Sequence, residues 1–310
     1  MRRGEGFFVM SAPRIGYVGL GVMGGALARR LLREHKLTVF DLSPERCAEF
    51  AKLGATVVGS PAEVGAASDI VLTCLPTSAQ VKDVIFGDNH GLIRGMQPGG
   101  LIVDQTSGAT AATREMAAEL APTGVNLIDA PVSGGPQGAD AGTIAIMVGS
   151  SDEQYARVVP ILNMISLNVV HVGPLGAGHT LKAVNNMMSA GNRLLAFEAV
   201  SLAASQGLDP KIVVDVINKS SGRNNCTQNV FPINIFTDNF EARFTLALME
   251  KDVALANELA TGDFAALSLA PAILRNYRMA IERFGGRGDL HQMLRLYEEA
   301  AGTQIAKKPA

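Results

Sequence analysis

Cysteine is scarce in this chain of 310 residues: Cys47, Cys74 and Cys226 are odd in number, far apart and never arranged as CxxC. That excludes a disulfide framework and a zinc cage. Charge is also sparse, at 18% of residues against 47% hydrophobic, so intrinsic disorder is excluded, since a disordered chain lacks the apolar surface that offsets its ordering entropy. There is no basic excess: 27 Lys and Arg face 29 Asp and Glu, a net charge of −2, which argues against nucleic acid as a partner. No stretch reaches the roughly 18 consecutive apolar residues of a membrane span, and no membrane partner is expected. The five histidines keep no metal-ligand spacing, so no metal is expected. Residues 1–12 carry two arginines and an apolar run too short for a signal peptide. They read as a disordered extension of a soluble, cytoplasmic protein.

What is present is length enough for about two domains. Short apolar runs alternate with helical stretches from Arg14 onward: Ile15–Val18, Leu37–Phe40, Ile70–Leu75, Leu101–Asp104, Asn126–Ala130 and Thr143–Val148. Near-continuous apolar strands separated by helices describe a parallel sheet covered on both faces. Residues 13–173 are therefore expected to form a doubly wound α/β domain. Ser43-Pro44 supplies an N-cap and a first-turn proline for one of its helices. After Gly173 the strands stop. A long helix over His179–Gln206, ended by Gly207, opens an all-helical domain over residues 174–310, whose last residues, Ile305 to Ala310, look frayed.

Gly19-Leu20-Gly21-Val22-Met23-Gly24 follows the first strand and opens the first helix. The first glycine permits the turn, the second admits a pyrophosphate, and the third lets helix and strand pack closely. The helix N-terminus presents free amides to the phosphates. Asp41 ends the second strand 22 residues after Gly19, where a carboxylate accepts from ribose hydroxyls and repels a 2′-phosphate. NAD is therefore the expected cofactor, with Arg46 leaving NADP possible.

These residues, with Leu75-Pro76, Asp129-Ala130-Pro131-Val132-Ser133-Gly134-Gly135, and Gly178 through Lys182 to Asn186, resemble the β-hydroxyacid dehydrogenases over roughly residues 14–300. The resemblance implies a Rossmann domain followed by an all-α domain, with a long interdomain helix. It implies NAD(P)-dependent hydride transfer at a CH–OH group of a small 3-hydroxy acid of the 3-hydroxyisobutyrate type. It makes Lys182 the catalytic acid/base and Asn186 a substrate-binding residue one helical turn away. Ser133, Gly134 and Gly135 would hold the substrate carboxylate. Leu75, Pro76, Ser107 and Lys251 would contact the cofactor, together with Gly19, Leu20, Gly21, Val22, Met23 and Gly24. A homodimer or homotetramer is implied as well.

The family turn Asp-x-Ser-Thr is Asp104-Gln105-Thr106-Ser107 here, with Gly108 in place of a β-branched residue. The polar segment Ser221-Gly222-Arg223-Asn224-Asn225 lies where the substrate tail is expected to be read. A lysine serves as acid/base if burial lowers its pKa toward the working pH. Of the histidines, expected to be solvated or capping, His179 alone could reach the mouth of the site. Met187 and Met188 are expected to pack between helices, and no His and Asp stand at a recognisable serine-hydrolase spacing from Ser107 or Ser133 in the sequence. Imine reduction, or a non-catalytic dinucleotide-binding role on the same fold, are the alternatives that Lys182 argues against.

Overall fold

The computed structural model describes residues 12–306. The expected extension therefore lies outside the described residues except for Ala12. The chain divides into two compact units, one ending at His179 and the other beginning at Thr180.

The first unit carries strands β1 (Ile15–Val18), β2 (Leu37–Phe40), β3 (Thr56–Val57), β4 (Ile70–Thr73), β5 (Leu101–Asp104) and β6 (Asn126–Asp129). Then come β7 (Val132–Ser133), β8 (Ala145–Gly149) and β9 (Val169–Gly173). Its helices are α1 (Val22–Leu32), α2 (Pro44–Lys52), α3 (Pro61–Ala66), α4 (Ser78–Phe86), α5 (Thr110–Leu120), α6 (Gly135–Ala141) and α7 (Asp152–Ile165). Ser43 caps α2 through its hydroxyl to Arg46 N, with Pro44 in the first turn. Ser151 and Gln154 form a reciprocal capping box on α7.

The sheet runs β3-β2-β1-β4-β5-β6-β8-β7, with β9 beside β8. Through β6 every pairing is parallel, from Ile15 opposite Leu37 to Asp104 opposite Asp129. This is the dinucleotide-binding strand order, and its reversal lies between β1 and β4. One apolar layer (Leu27, Leu31, Leu72, Val103, Ile146, Leu162) covers one face, and another (Val64, Val71, Ile102, Met116, Leu127) covers the other.

The sheet departs from all-parallel at its far edge, where β8 pairs antiparallel with β6 and β7. The connection over residues 134–144 is shorter than the roughly dozen residues of a parallel crossover, so the chain turns back on itself. Strand β9 is a further departure. Its Val-Val-His-Val-Gly run is only partly buried and carries a histidine, which weakens the apolar signal.

Helix α8 (Ala177–Ser205) leads into the second unit, followed by α9 (Pro210–Asn218) and a π-helical segment (Cys226–Ile235). Then come α10 (Leu246–Leu259), α11 (Gly262–Leu267), α12 (Ala270–Phe284) and α13 (Met293–Ala301). Phe197, Phe231, Leu246, Tyr277 and Met293 form its core. Ile305 and Ala306 are not frayed: both backbone amides donate to Glu298 Oε1, at 2.6 and 2.8 Å, and Ala306 is buried. Residues 307–310 lie outside the described residues.

Candidate active site

The nucleotide end of the first unit is built at the strand-order reversal. Gly19 has φ +95°, and a Cβ there would collide with the Cys74 carbonyl. A Cβ at Gly24 would collide with the Gly19 carbonyl. The protein itself therefore requires these two glycines. Gly21 is different: it has an ordinary φ of −61° and nothing within 4 Å of an added Cβ. The protein's own packing gives no reason for a missing side chain at Gly21, whereas close approach of a pyrophosphate does. This cradle, at the N-terminus of α1, fits the phosphates of NAD(P). Leu20 and Gly24 are buried, Met23 is half-buried and Val22 is exposed.

Asp41 Oδ2 accepts from Leu20 N at 2.5 Å, and Oδ1 accepts from Ser43 N at 2.8 Å. The carboxylate thus holds the glycine loop in shape. A carboxylate accepts about four hydrogen bonds, so capacity for ribose hydroxyls remains. Arg46 is turned to Glu49, with Nη1 3.0 Å from Oε2.

The turns after β4 and β5 are tied together. Leu75 N donates to Thr106 Oγ1 at 3.1 Å. Asp104 Oδ1 accepts from Thr106 N and from Thr73 Oγ1, both at 3.0 Å. These bonds set half-buried Leu75, exposed Pro76 and half-buried Ser107 at the C-terminal ends of the strands. Gly108 has a local cause: an added Cβ would lie 3.0 Å from both His179 Cε1 and Ser78 Oγ. The space that a β-branched side chain would take is filled by the histidine.

His179 does not open onto a site mouth. Its ring is fully buried, with Nδ1 2.8 Å from Thr113 Oγ1 and Nε2 3.8 Å from Asp104 Oδ2. His291 is also buried, which pushes its pKa down to about 3, so the expectation of solvated histidines fails at both. Ser133 is half-buried at the end of β7, while Gly134 and Gly135 follow with φ of +137° and +70° and open α6.

Asp129, quoted in the motif but given no role by sequence, anchors the start of α8. Its Oδ1 accepts from Gly176 N and its Oδ2 from His179 N, both at 2.7 Å. A Cβ on Gly178 would stand 2.8 Å from Asp129 Oδ2 and collide with the Met147 carbonyl. Burial raises the Asp129 pKa against the lowering pull of these amides and of His179. An acid at a strand end, followed later by Gly-x-Gly at a helix start, was the available signal.

In the second unit, Lys182 is 9% exposed. Burial, opposed by Asp252 and aided by Lys251, lowers its pKa from 10.5 to about 8. Asn186, one turn along α8, donates from Nδ2 to Asp252 Oδ2 at 2.5 Å. Lys251 Nζ sits 2.9 Å from Asp252 Oδ1, so the expected cofactor contact is ion-paired here. Asp252 is buried on α10, and it links Asn186 to Lys251. Sequence reading passed over it, although an acid amid the apolar residues of a helix was visible.

Two smaller expectations change. Asn224 Oδ1 accepts from Cys226 N at 2.9 Å and from Thr227 N at 3.3 Å, so it shapes the entry to the π-helical segment, while Arg223 is exposed. Met188 is 66% exposed and does not pack between helices, whereas Met187 packs against the core.

Residues 14–173 match the model of the NAD binding domain of 6-phosphogluconate dehydrogenase. Residues 176–297 match that of the NAD-binding domain of NADP-dependent 3-hydroxyisobutyrate dehydrogenase. The chain belongs to the β-hydroxyacid dehydrogenase family. It is 33% identical to 2-(hydroxymethyl)glutarate dehydrogenase of Eubacterium barkeri, over 94% of this chain and 97% of that protein. It is 32% identical to the mitochondrial 3-hydroxyisobutyrate dehydrogenase of Homo sapiens, over 94% of this chain and 88% of that one. Among solved structures it resembles the 3-hydroxyisobutyrate dehydrogenase of Mycobacterium tuberculosis, solved with L-serine, at a TM-score of 0.82 and 28% identity over 92% of this chain and 99% of that chain. An imine reductase from Myxococcus stipitatus, at 19% identity and TM-score 0.63, shares the fold alone. As a family member, the chain is an NAD(P)-dependent oxidoreductase acting on a CH–OH group.

Proposed function

We propose that the protein interconverts a small 3-hydroxy acid of the 3-hydroxyisobutyrate type and its semialdehyde, with Lys182 as general acid/base and NAD preferred over NADP. The observation that carries this is the burial of Lys182 on α8 one helical turn before Asn186, whose amide is held by buried Asp252; that burial lowers the lysine pKa to about 8. The bound nicotinamide supplies the hydride chemistry. The neutral amine takes the hydroxyl proton in oxidation, and the ammonium returns it in reduction. Asn186, fixed by Asp252, offers an amide to the same hydroxyl. Ser133, Gly134 and Gly135 hold the acid end of the substrate, the two glycines reaching the positive φ values of that turn without strain.

The preference for NAD rests on Asp41, since a 2′-phosphate beside it meets a like charge while Arg46 is turned to Glu49. A homo-oligomer is part of the proposal. Leu181, Val184, Met188, Leu195 and Leu202 are 41–66% exposed and recur at spacings of three, four and seven along α8, an apolar stripe suited to a second copy. A cytoplasmic location accords with three cysteines that are all free thiols.

The test is NADH formation with a panel of 3-hydroxy acids, run on the wild type and on Lys182→Met. The proposal requires turnover of at least one such acid by the wild type, with loss of about 10²–10⁴-fold in kcat for the variant. Near wild-type turnover by Lys182→Met would remove the assignment. Sedimentation velocity on the same preparations reads the oligomer.

A further inference from the structure

The core of the second unit contains a charge that the hydride-transfer machinery does not use. Arg193 lies on α8 and is only 8% exposed. Its Nε and Nη1 are fully buried and have no hydrogen-bond partner within the protein. Among the described residues it forms no ion pair. A guanidinium does not shed its proton at any working pH, so this charge cannot be relieved by neutralisation. An isolated buried cation is among the most costly groups a core can hold, and native cores pair it.

Among the described residues, the surroundings offer the guanidinium neutral side chains but no ion-paired carboxylate. Tyr277 on α12 is fully buried, and its hydroxyl faces the guanidinium without a hydrogen bond of ordinary geometry. Helices α8 and α12 meet nearby: an added Cβ on Gly191 would lie 3.0 Å from Ile273 Cδ1, one turn before Tyr277. His291 is buried and neutral, its pKa held down by burial and by Arg193, and its Nδ1 lies 3.5 Å from Asp289 Oδ1. Cys226 is buried within the field of the same guanidinium, but burial pushes its thiol up to about 12, so it supplies no thiolate. The Asp289 carboxylate feels Arg193, but its oxygens are committed to backbone amides. Oδ2 accepts from Ala242 N and Oδ1 from His291 N, both at 2.8 Å.

We propose that Arg193 Nε and Nη1, with the Tyr277 hydroxyl, form a buried binding site for a small monovalent inorganic anion of chloride size. The anion accepts from two guanidinium N–H groups and the phenol O–H, and it supplies the charge that the core lacks. Its role is structural, closing the α8–α12 layer of the helical unit, and it is independent of nucleotide and hydroxy acid. A larger anion such as sulfate brings a second charge and more volume than a close-packed core accommodates.

Thermal unfolding of the full chain is followed in sodium chloride and in sodium gluconate at equal ionic strength. A ligand that binds only the folded state raises Tm with its concentration, here by about 4 °C at a hundredfold excess over Kd. Chloride should give this rise and gluconate should not. Tyr277→Phe preserves the packing and should flatten the chloride dependence, and Arg193→Met should abolish it. In crystals soaked in bromide, an anomalous peak should lie within hydrogen-bond distance of Arg193 Nε and Nη1. Identical Tm in the two salts with no bromide peak would overturn the proposal, leaving water as the partner of the guanidinium. A chloride effect that survives unchanged in both variants would overturn it equally.

Discussion

Replacing Asp252 with asparagine should move the catalytic titration in a direction the structure fixes. Burial is the largest influence on Lys182 and lowers its pKa, Asp252 raises it, and Lys251 lowers it, with the balance at about 8. Asparagine keeps the volume and removes the negative charge. The raising influence then disappears while the Lys251 ammonium, freed of its 2.9 Å ion pair, still acts, so both changes push the amine down. A carboxylate a few ångströms away typically moves a pKa by 1–3 units, and partial exposure of Lys251 favours the low end. A fall of about 1 unit raises the neutral amine at pH 7 from about 10% to about 50%. The assay is the pH profile of kcat/KM for hydroxy-acid oxidation. In the wild type the rate should rise with pH and level off above about 8. In Asp252→Asn the limb should shift to lower pH, while KM rises because Asn186 is left with a weaker, uncharged acceptor in place of the carboxylate. A limb that stays in place or moves upward would refute the assignment of the titrating group to Lys182.

Further outcomes follow from the same geometry. The depressed Lys182 pKa means that between about 8 and 10.5 the unfolded chain holds a proton that the folded chain does not. Stability should therefore rise with pH across that window, by about 3 kcal/mol, and Lys182→Met should lose the effect in urea titrations. Gly21→Ala should leave Tm within a few degrees of wild type yet weaken NAD binding by tenfold or more in calorimetry, because the protein leaves that Cβ free and the pyrophosphate does not. Asp129→Asn leaves two backbone amides with a poorer acceptor and should cost about 1–3 kcal/mol of stability, read in denaturant midpoints. Asp41→Ser should narrow the NAD-to-NADP ratio of kcat/KM by about ten- to a hundredfold; an unchanged ratio would show that Asp41 only shapes the loop.

Much of the α/β unit was legible because its strands are buried on both faces and read as unbroken apolar runs, as in Ile70–Thr73 and Leu101–Asp104. The edge was not, because Val132–Ser133 and Val169–Gly173 are short or half-exposed and their pairing depends on which way a brief connection turns. The glycine loop was legible from residue type and spacing, and Lys182 was singled out by the family resemblance, its burial being what the structure adds. Asp129, Asp252 and His179 were not, because their roles lie in partners 47–66 residues away in sequence: Gly176, Asn186 and Thr113. A single sequence shows an acid in an apolar run but not the amide or ring that it meets.

The contrast among the three loop glycines bears on how such chains diverge. Gly19 and Gly24 answer to the polypeptide, since a side chain would strike the Cys74 carbonyl at the first and the Gly19 carbonyl at the second. Gly21 has no such neighbour in the protein, and only the proposed dinucleotide contact calls for a glycine there. A descendant that abandoned the nucleotide and kept the fold would be released from constraint at one position of the three. Drift at the middle glycine, with the outer two retained, is then the mark by which a scaffold that has lost its cofactor can be told from a working enzyme.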